Sequence, residues 1–187
     1  MKKIILISTF LIGTTLFTSC NTSEIPQEKI EATIDLSKSS LSLNELLLIA
    51  EQIRAIEKSP NTRSNDELQQ IMQPMVEVGR GLHQEMLLLI NADPNSWLTP
   101  EEYADFLIFT DDQLADLAFI TMSSASSSTI FRCLAIAAGI QELGNLLIGE
   151  VLTVQGAIQI LKTIGKRTLG WFALAYMIYE FTECLLS

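Results

Sequence analysis

The chain has 187 residues, of which 22 are acidic and 12 are basic, and its formal net charge at pH 7 is −10. An acidic surface repels a phosphate backbone, so this charge balance argues against nucleic-acid binding. The length is sufficient for one domain with a substantial hydrophobic core.

Residues 1–19 have the pattern of a secretory signal peptide. Two lysines precede the apolar run 4–17, which is too short for a comfortable membrane span. Ser19 then stands directly before Cys20. A small residue before a cysteine at this position resembles the lipobox of bacterial lipoproteins, and the Phe17 that replaces the usual Leu makes it similar to the looser Bacteroidota type.

The lipoprotein resemblance implies that residues 1–19 are removed and that Cys20 carries a diacylglycerol group. This group would anchor the mature chain in membrane lipid, at the outer membrane or cell surface, with a periplasm-facing orientation as the alternative. Two other interpretations stay open: an ordinary signal peptide with Cys20 as a structural cysteine, and an uncleaved anchor helix.

The mature chain divides by composition into three parts. Residues 20–41 are polar with little apolar periodicity, which predicts a flexible tether before a helical domain at 42–187. Within that domain we distinguish an acidic section, 42–121, from an apolar section punctuated by glycines, 129–187. Residues 20–120 hold 18 acidic and 6 basic side chains, whereas residues 121–187 hold 4 of each.

Helix signals recur along the acidic section, and strand signals are almost absent. Capping-box patterns begin at Ser42, Ser64, Thr99 and Thr110, and apolar residues follow at helical spacing. The serine-rich run 122–129 interrupts the pattern. The sequence therefore predicts an all-α fold, a small helical bundle.

In the apolar section, glycines and charged residues interrupt every apolar run before it reaches about 20 residues, which argues against spanning helices. We expect a C-terminal helical hairpin that is apolar on all sides because it is buried. An alternative is membrane activity, because residues 129–187 are loosely similar to bacteriocin-like helical hairpins. Trp171, Tyr176 and Tyr179 would then sit at the membrane interface.

Three cysteines occur in the chain. If Cys20 is lipidated, Cys133 and Cys184 remain as an even pair in an exported, oxidising setting, which favours a disulfide between them. The alternative is two buried thiols that act as small hydrophobic groups.

The stretch 91–102 resembles the twelve-residue calcium loop of an EF-hand. The ligands would come from Asn91, Asp93, Asn95, Trp97, Thr99 and Glu102, with Trp97 offering its backbone carbonyl and Glu102 the final bidentate carboxylate. Asn91 stands where the motif has Asp, and Ser96 replaces the glycine of the sharp turn. With just two carboxylates, calcium would bind weakly. The alternative is an interhelical loop whose polar residues form turns and a helix cap.

The sequence contains no recognisable catalytic motif. His83 is the sole histidine, and it lies beside an apolar stripe. The carboxylates from Glu101 to Asp116 have the placement of helix N-terminal and solvated-face residues. We therefore predict a non-catalytic interaction or structural module with an unidentified envelope partner. An enzyme that uses carboxylates alone is the alternative.

Overall fold

Helices make up nearly all regular structure in the computed structural model, which describes residues 33–57, 64–93, 98–122, 128–139, 151–167 and 169–187. In chain order the elements are β1 (Thr33–Asp35), α1 (Leu36–Ser39), α2 (Leu43–Glu57), α3 (Asn65–Ala92), α4 (Pro100–Phe106), α5 (Asp111–Ile120), α6 (Ser128–Ala138), β2 (Val151–Thr153), α7 (Val154–Gly165) and α8 (Gly170–Leu186). The predicted all-α class is confirmed.

The helices begin where the sequence patterns indicated. At α2, the Glu45 carboxylate accepts a hydrogen bond from the Ser42 amide (2.9 Å), and the Glu45 amide donates to the Ser42 hydroxyl (3.3 Å). At α4, Thr99 and Glu102 form the same reciprocal pair. These caps satisfy amides that the first turn of a helix leaves without partners.

The crossing of α3 and α5 forms the centre of the core. Every residue from Leu114 to Ile120 on α5 is buried, and α3 contributes a buried stripe that includes Met75 and Leu82. Gly79 allows the closest approach, because an added Cβ would lie 1.8 Å from the carbonyl oxygen of Leu114. The backbones of α3 and α5 therefore approach each other most closely at Gly79, which has no side chain.

The apolar section packs differently from the prediction. We expected its helices to be buried on all sides, but α8 leaves Phe172 and Tyr176 exposed and α6 leaves Ile136 exposed. The helix that is surrounded is α5, since α3, α7 and α8 all pack against it. In the described part of the chain, the outer faces of α6 and α8 therefore carry apolar residues that are only partly covered.

Residues 33–41, which the polar sequence predicts to be part of the tether, belong to the folded body. β1 pairs antiparallel with β2, with Thr33 opposite Thr153, and Leu36 and Leu41 are buried. A three-residue strand has no visible periodicity, and its partner lies far away in sequence, so the pattern could not reveal it. The remainder of the predicted tether, residues 20–32, lies outside the described residues.

Candidate functional site

The predicted disulfide between Cys133 and Cys184 is present, with a sulfur–sulfur distance of 2.04 Å and a Cα–Cα distance of 5.6 Å. It joins α6 to α8, and Cys133 is fully buried. The bond therefore fixes two helices of the apolar section to each other. The predicted lipidation site, Cys20, lies outside the described residues.

The residues of the calcium-loop prediction have other partners where the structure describes them. Asn91, in the last turn of α3, donates a hydrogen bond to the Tyr103 hydroxyl (2.6 Å). Glu102 accepts from the Thr99 amide (3.0 Å) and pairs with Lys162 on α7 (2.8 Å), and this lysine lowers the pKa of Glu102. The Glu102 carboxylate therefore already links α4 to α7.

The remaining positions of that loop are less informative. Asp93 ends α3, and its amide donates to the carbonyl of Ile90 (3.3 Å). Asn95 and Trp97 lie outside the described residues. Within the described ranges, no group of three or more histidine, cysteine or acidic side chains is arranged to hold a metal ion. Calcium binding stays a prediction.

His83 makes a hydrogen bond and a stacking contact with residues at and just after the end of α4. Its Nε2 donates to the carbonyl of Phe106 (2.5 Å), and its ring stacks on Phe109 with centroids 4.7 Å apart. Burial lowers the pKa of His83, although the hydrogen bond to Phe106 opposes this effect. The neutral imidazole therefore ties α3 to the end of α4.

A cluster of polar residues lies where α5 meets the connection between α7 and α8. We call it the polar junction, and it comprises Asp112, Gln113, Asp116, Arg167 and Gly170. The Gln113 amide group donates to the carbonyl of Arg167 (3.2 Å), and Asp112 accepts from the backbone amide of Gly170 (3.1 Å). The first half of α5 thus holds both ends of the connection.

Asp116 and Arg167 form the buried part of the polar junction. Asp116 is 1% exposed, and its carboxylate oxygen lies 3.2 Å from Nε of Arg167. Despite this short distance, neither oxygen of Asp116 accepts a hydrogen bond from any group in the described part of the chain, and Nη1 of Arg167 likewise has no acceptor there. The Asp116 carboxyl group is therefore buried beside the Arg167 guanidinium without a hydrogen bond from it.

The surroundings of Asp116 favour its neutral form. Burial raises the pKa of Asp116 to about 7; Arg167 opposes this shift, and the nearby Asp112 carboxylate adds to it. Burial away from water destabilises the ionised carboxylate. This effect is larger than the stabilisation from one guanidinium that makes no hydrogen bond to it. Asp116 can therefore take up or release a proton near neutral pH.

Sequence reasoning missed Asp116, which we expected on a solvated face. A signal was present, because Asp116 is the one charged residue in the run Leu114–Ile120, between Ala115 and Leu117. A carboxylate with apolar neighbours on both sides is buried when the helix is surrounded. The short sequence of α5 does not reveal that other helices surround it.

A second feature is an open groove of about 430 Å³ between α3 and the β1–α1 segment. Its apolar lining includes Ile34, Leu88 and Leu89, and its rim carries Asp35 and Glu85.

No protein family, curated protein or solved structure matches this chain. Among the described helices, none combines the length and hydropathy that a membrane-spanning helix requires.

Proposed function

We propose that the protein is a lipid-anchored lipoprotein of the bacterial cell envelope whose helical body is a non-catalytic interaction or structural module. One observation carries the proposal: of the three cysteines, Cys133 and Cys184 pair within the fold, which leaves Cys20 at the lipobox. Disulfides persist in exported proteins and are rare in reducing compartments. The bond thus supports the export that the lipobox implies.

The geometry of the body agrees with an anchored module. Thr33, at the start of β1, is fixed to β2, and only residues 21–32 separate it from Cys20. A chain of this length spans at most about 45 Å. A lipid on Cys20 would therefore keep the body within that distance of the membrane surface, at the outer membrane or cell surface.

A non-catalytic role agrees with the partners of the polar side chains. Asp111 pairs with Arg80 (3.2 Å), Glu102 pairs with Lys162, and His83 bonds to a backbone carbonyl. These contacts hold helix ends and cross-helix packing. These three polar side chains are thus engaged in contacts between elements of the fold.

The anchor can be tested by fractionating cells that express the full chain with its own signal, beside a Cys20→Ser variant. We expect the wild type in the outer-membrane fraction, and we expect the variant to be lost from that fraction. Equal distribution of the two proteins would contradict lipidation at Cys20. Protease treatment of intact cells then separates a surface orientation from a periplasmic one.

A second candidate function is membrane activity of residues 129–187. The exposed aromatic residues Phe172 (49%) and Tyr176 (62%), one helical turn apart on α8, favour it because aromatic side chains accumulate at membrane interfaces. This function predicts that the mature protein releases dye from anionic phospholipid vesicles and that Phe172→Ser/Tyr176→Ser abolishes the release. Intact vesicles at high protein concentration would remove this candidate.

A further inference from the structure

We propose that Asp116 and Arg167 form a proton-sensitive latch, which fastens the α7–α8 connection to α5 and α6 when Asp116 is protonated and loosens when Asp116 is ionised. The proposal concerns the polar junction alone. It does not depend on the lipid anchor or on a partner.

The position of Arg167 makes it the central element of the latch. Its side chain is 16% exposed and reaches three other elements of the fold. The guanidinium lies against Asp116 on α5, donates to the carbonyl of Ala138 at the end of α6 (2.9 Å) and contacts the sulfur of Met177 on α8 (3.3 Å). Withdrawal of this one side chain would break all three contacts together.

The charged groups that act on Asp116 are few in the described part of the chain. They are Arg167, from the α7–α8 connection, and Asp112, one turn earlier on α5. On the neighbouring helices, Arg80 of α3 pairs with Asp111, and Lys162 of α7 pairs with Glu102. The proton on Asp116 is therefore controlled by burial and by the junction itself.

The direction of the response follows from the two states of the latch. In the closed state the pKa of Asp116 is about 7, whereas in an open, hydrated state it returns toward its ordinary value near 3.9. The open state therefore releases its proton first, and opening becomes more favourable as the pH rises between these values. From about pH 5 to about pH 7 the opening equilibrium should increase about 50-fold, and above that range it should level off.

Two backbone amides in the connection report on this opening. The Arg167 amide donates to the carbonyl of Ile164 (2.9 Å), and the Gly170 amide donates to Asp112 (3.1 Å). Hydrogen exchange of the full mature chain, corrected for the intrinsic exchange rate at each pH, measures how often these bonds open. We expect their protection to fall about 50-fold from about pH 5 to about pH 7.

Two variants make the experiment specific. Asp116→Asn, which cannot ionise, should remove the pH dependence, whereas Asp111→Asn, in the exposed pair with Arg80, should retain it. Constant protection in the wild type, or an unchanged fall in Asp116→Asn, would overturn the latch.

A direct titration keeps the proposal testable if Asp116→Asn does not fold. The carbon-13 shift of the Asp116 carboxyl group in the wild type should have its midpoint near pH 7. A midpoint below about pH 5 would show that the closed junction does not favour the proton, and the latch would then be wrong.

Discussion

Helix α5 makes two contacts of opposite kind. At its crossing with α3, Gly79 lies directly against the backbone of Leu114, and the surrounding side chains are apolar. At the polar junction, less than a turn further along, Asp116 lies against Arg167, and in the described part of the chain neither carboxylate oxygen accepts a hydrogen bond. The crossing with α3 depends on the volume of the packed groups, whereas the polar junction depends on the charge of Asp116.

These two contacts illustrate two ways in which neighbouring elements can hold one helix in place. Close apolar packing is insensitive to pH, and a defect in it is steric. A buried carboxyl group beside a guanidinium contributes little net stability, but it makes the stability of the contact depend on pH. We therefore expect changes at the crossing to lower stability at every pH and changes at the junction to alter its pH dependence.

The largest expected effect comes from the disulfide, which joins α6 and α8. Cys133 and Cys184 are 51 residues apart, and a loop of that length corresponds to about 4 kcal/mol of stabilisation in the chain-entropy description. Cys133→Ala/Cys184→Ala should lower the free energy of unfolding by about this amount in urea denaturation. Reduced wild-type protein serves as the control for lost side-chain volume, and equal stability of oxidised and reduced protein would contradict the expectation.

Gly79→Ala should break the crossing, because the new methyl group would overlap the Leu114 carbonyl. We expect a loss of more than about 3 kcal/mol at every pH, or failure to fold. Gly81→Ala on the same helix is the matched control, since nothing lies within 4 Å of its added Cβ. That substitution should stabilise the protein by up to about 1 kcal/mol, and similar effects of the two changes would refute the close approach.

Asp116→Asn should change the pH dependence of stability. The pKa of Asp116 is raised in the folded state, so its contribution is fully present below about pH 4 and is lost as the pH rises through about 7. Between about pH 5 and about pH 7 the wild type should lose about 2 kcal/mol relative to Asp116→Asn in parallel urea titrations. Parallel curves for the two proteins would show that Asp116 has an ordinary pKa.

The smallest expected effect belongs to the calcium hypothesis. If the 91–102 loop binds with millimolar affinity, calcium at about 10 mM should stabilise the protein by about 1 kcal/mol. The melting temperature should rise, and Glu102→Gln should abolish the rise, whereas Glu101→Gln on the exposed side of α4 should retain it. A melting temperature that does not respond to calcium removes the hypothesis.

The helix starts could be predicted because a capping box lies within four consecutive residues. The disulfide could be predicted from the number of cysteines. Thr99 and Glu102 stand three residues apart, and the spacing alone indicates their capping box. Cys133 and Cys184 are the even pair that remains once Cys20 is set aside. Such features require no knowledge of how the helices are arranged.

The polar junction could not be predicted, because its members come from distant parts of the chain. Gln113 and Arg167 are 54 residues apart, and Arg167 and Ala138 are 29 apart. The burial of Asp116 follows from α5 being the surrounded helix, which depends on the packing of α3, α7 and α8. Sequence periodicity identifies the face of one helix and carries no information about its neighbours.

The most direct test of the proposed function is the intact mass of the protein expressed with its own signal and extracted from membranes, with and without reductant. We expect a chain that begins at an acylated Cys20 and that gains, on reduction, the hydrogens of one disulfide between Cys133 and Cys184. This result would establish both the anchor and the exported, oxidised body. An unlipidated mass that reduction leaves unchanged would contradict both parts of the account.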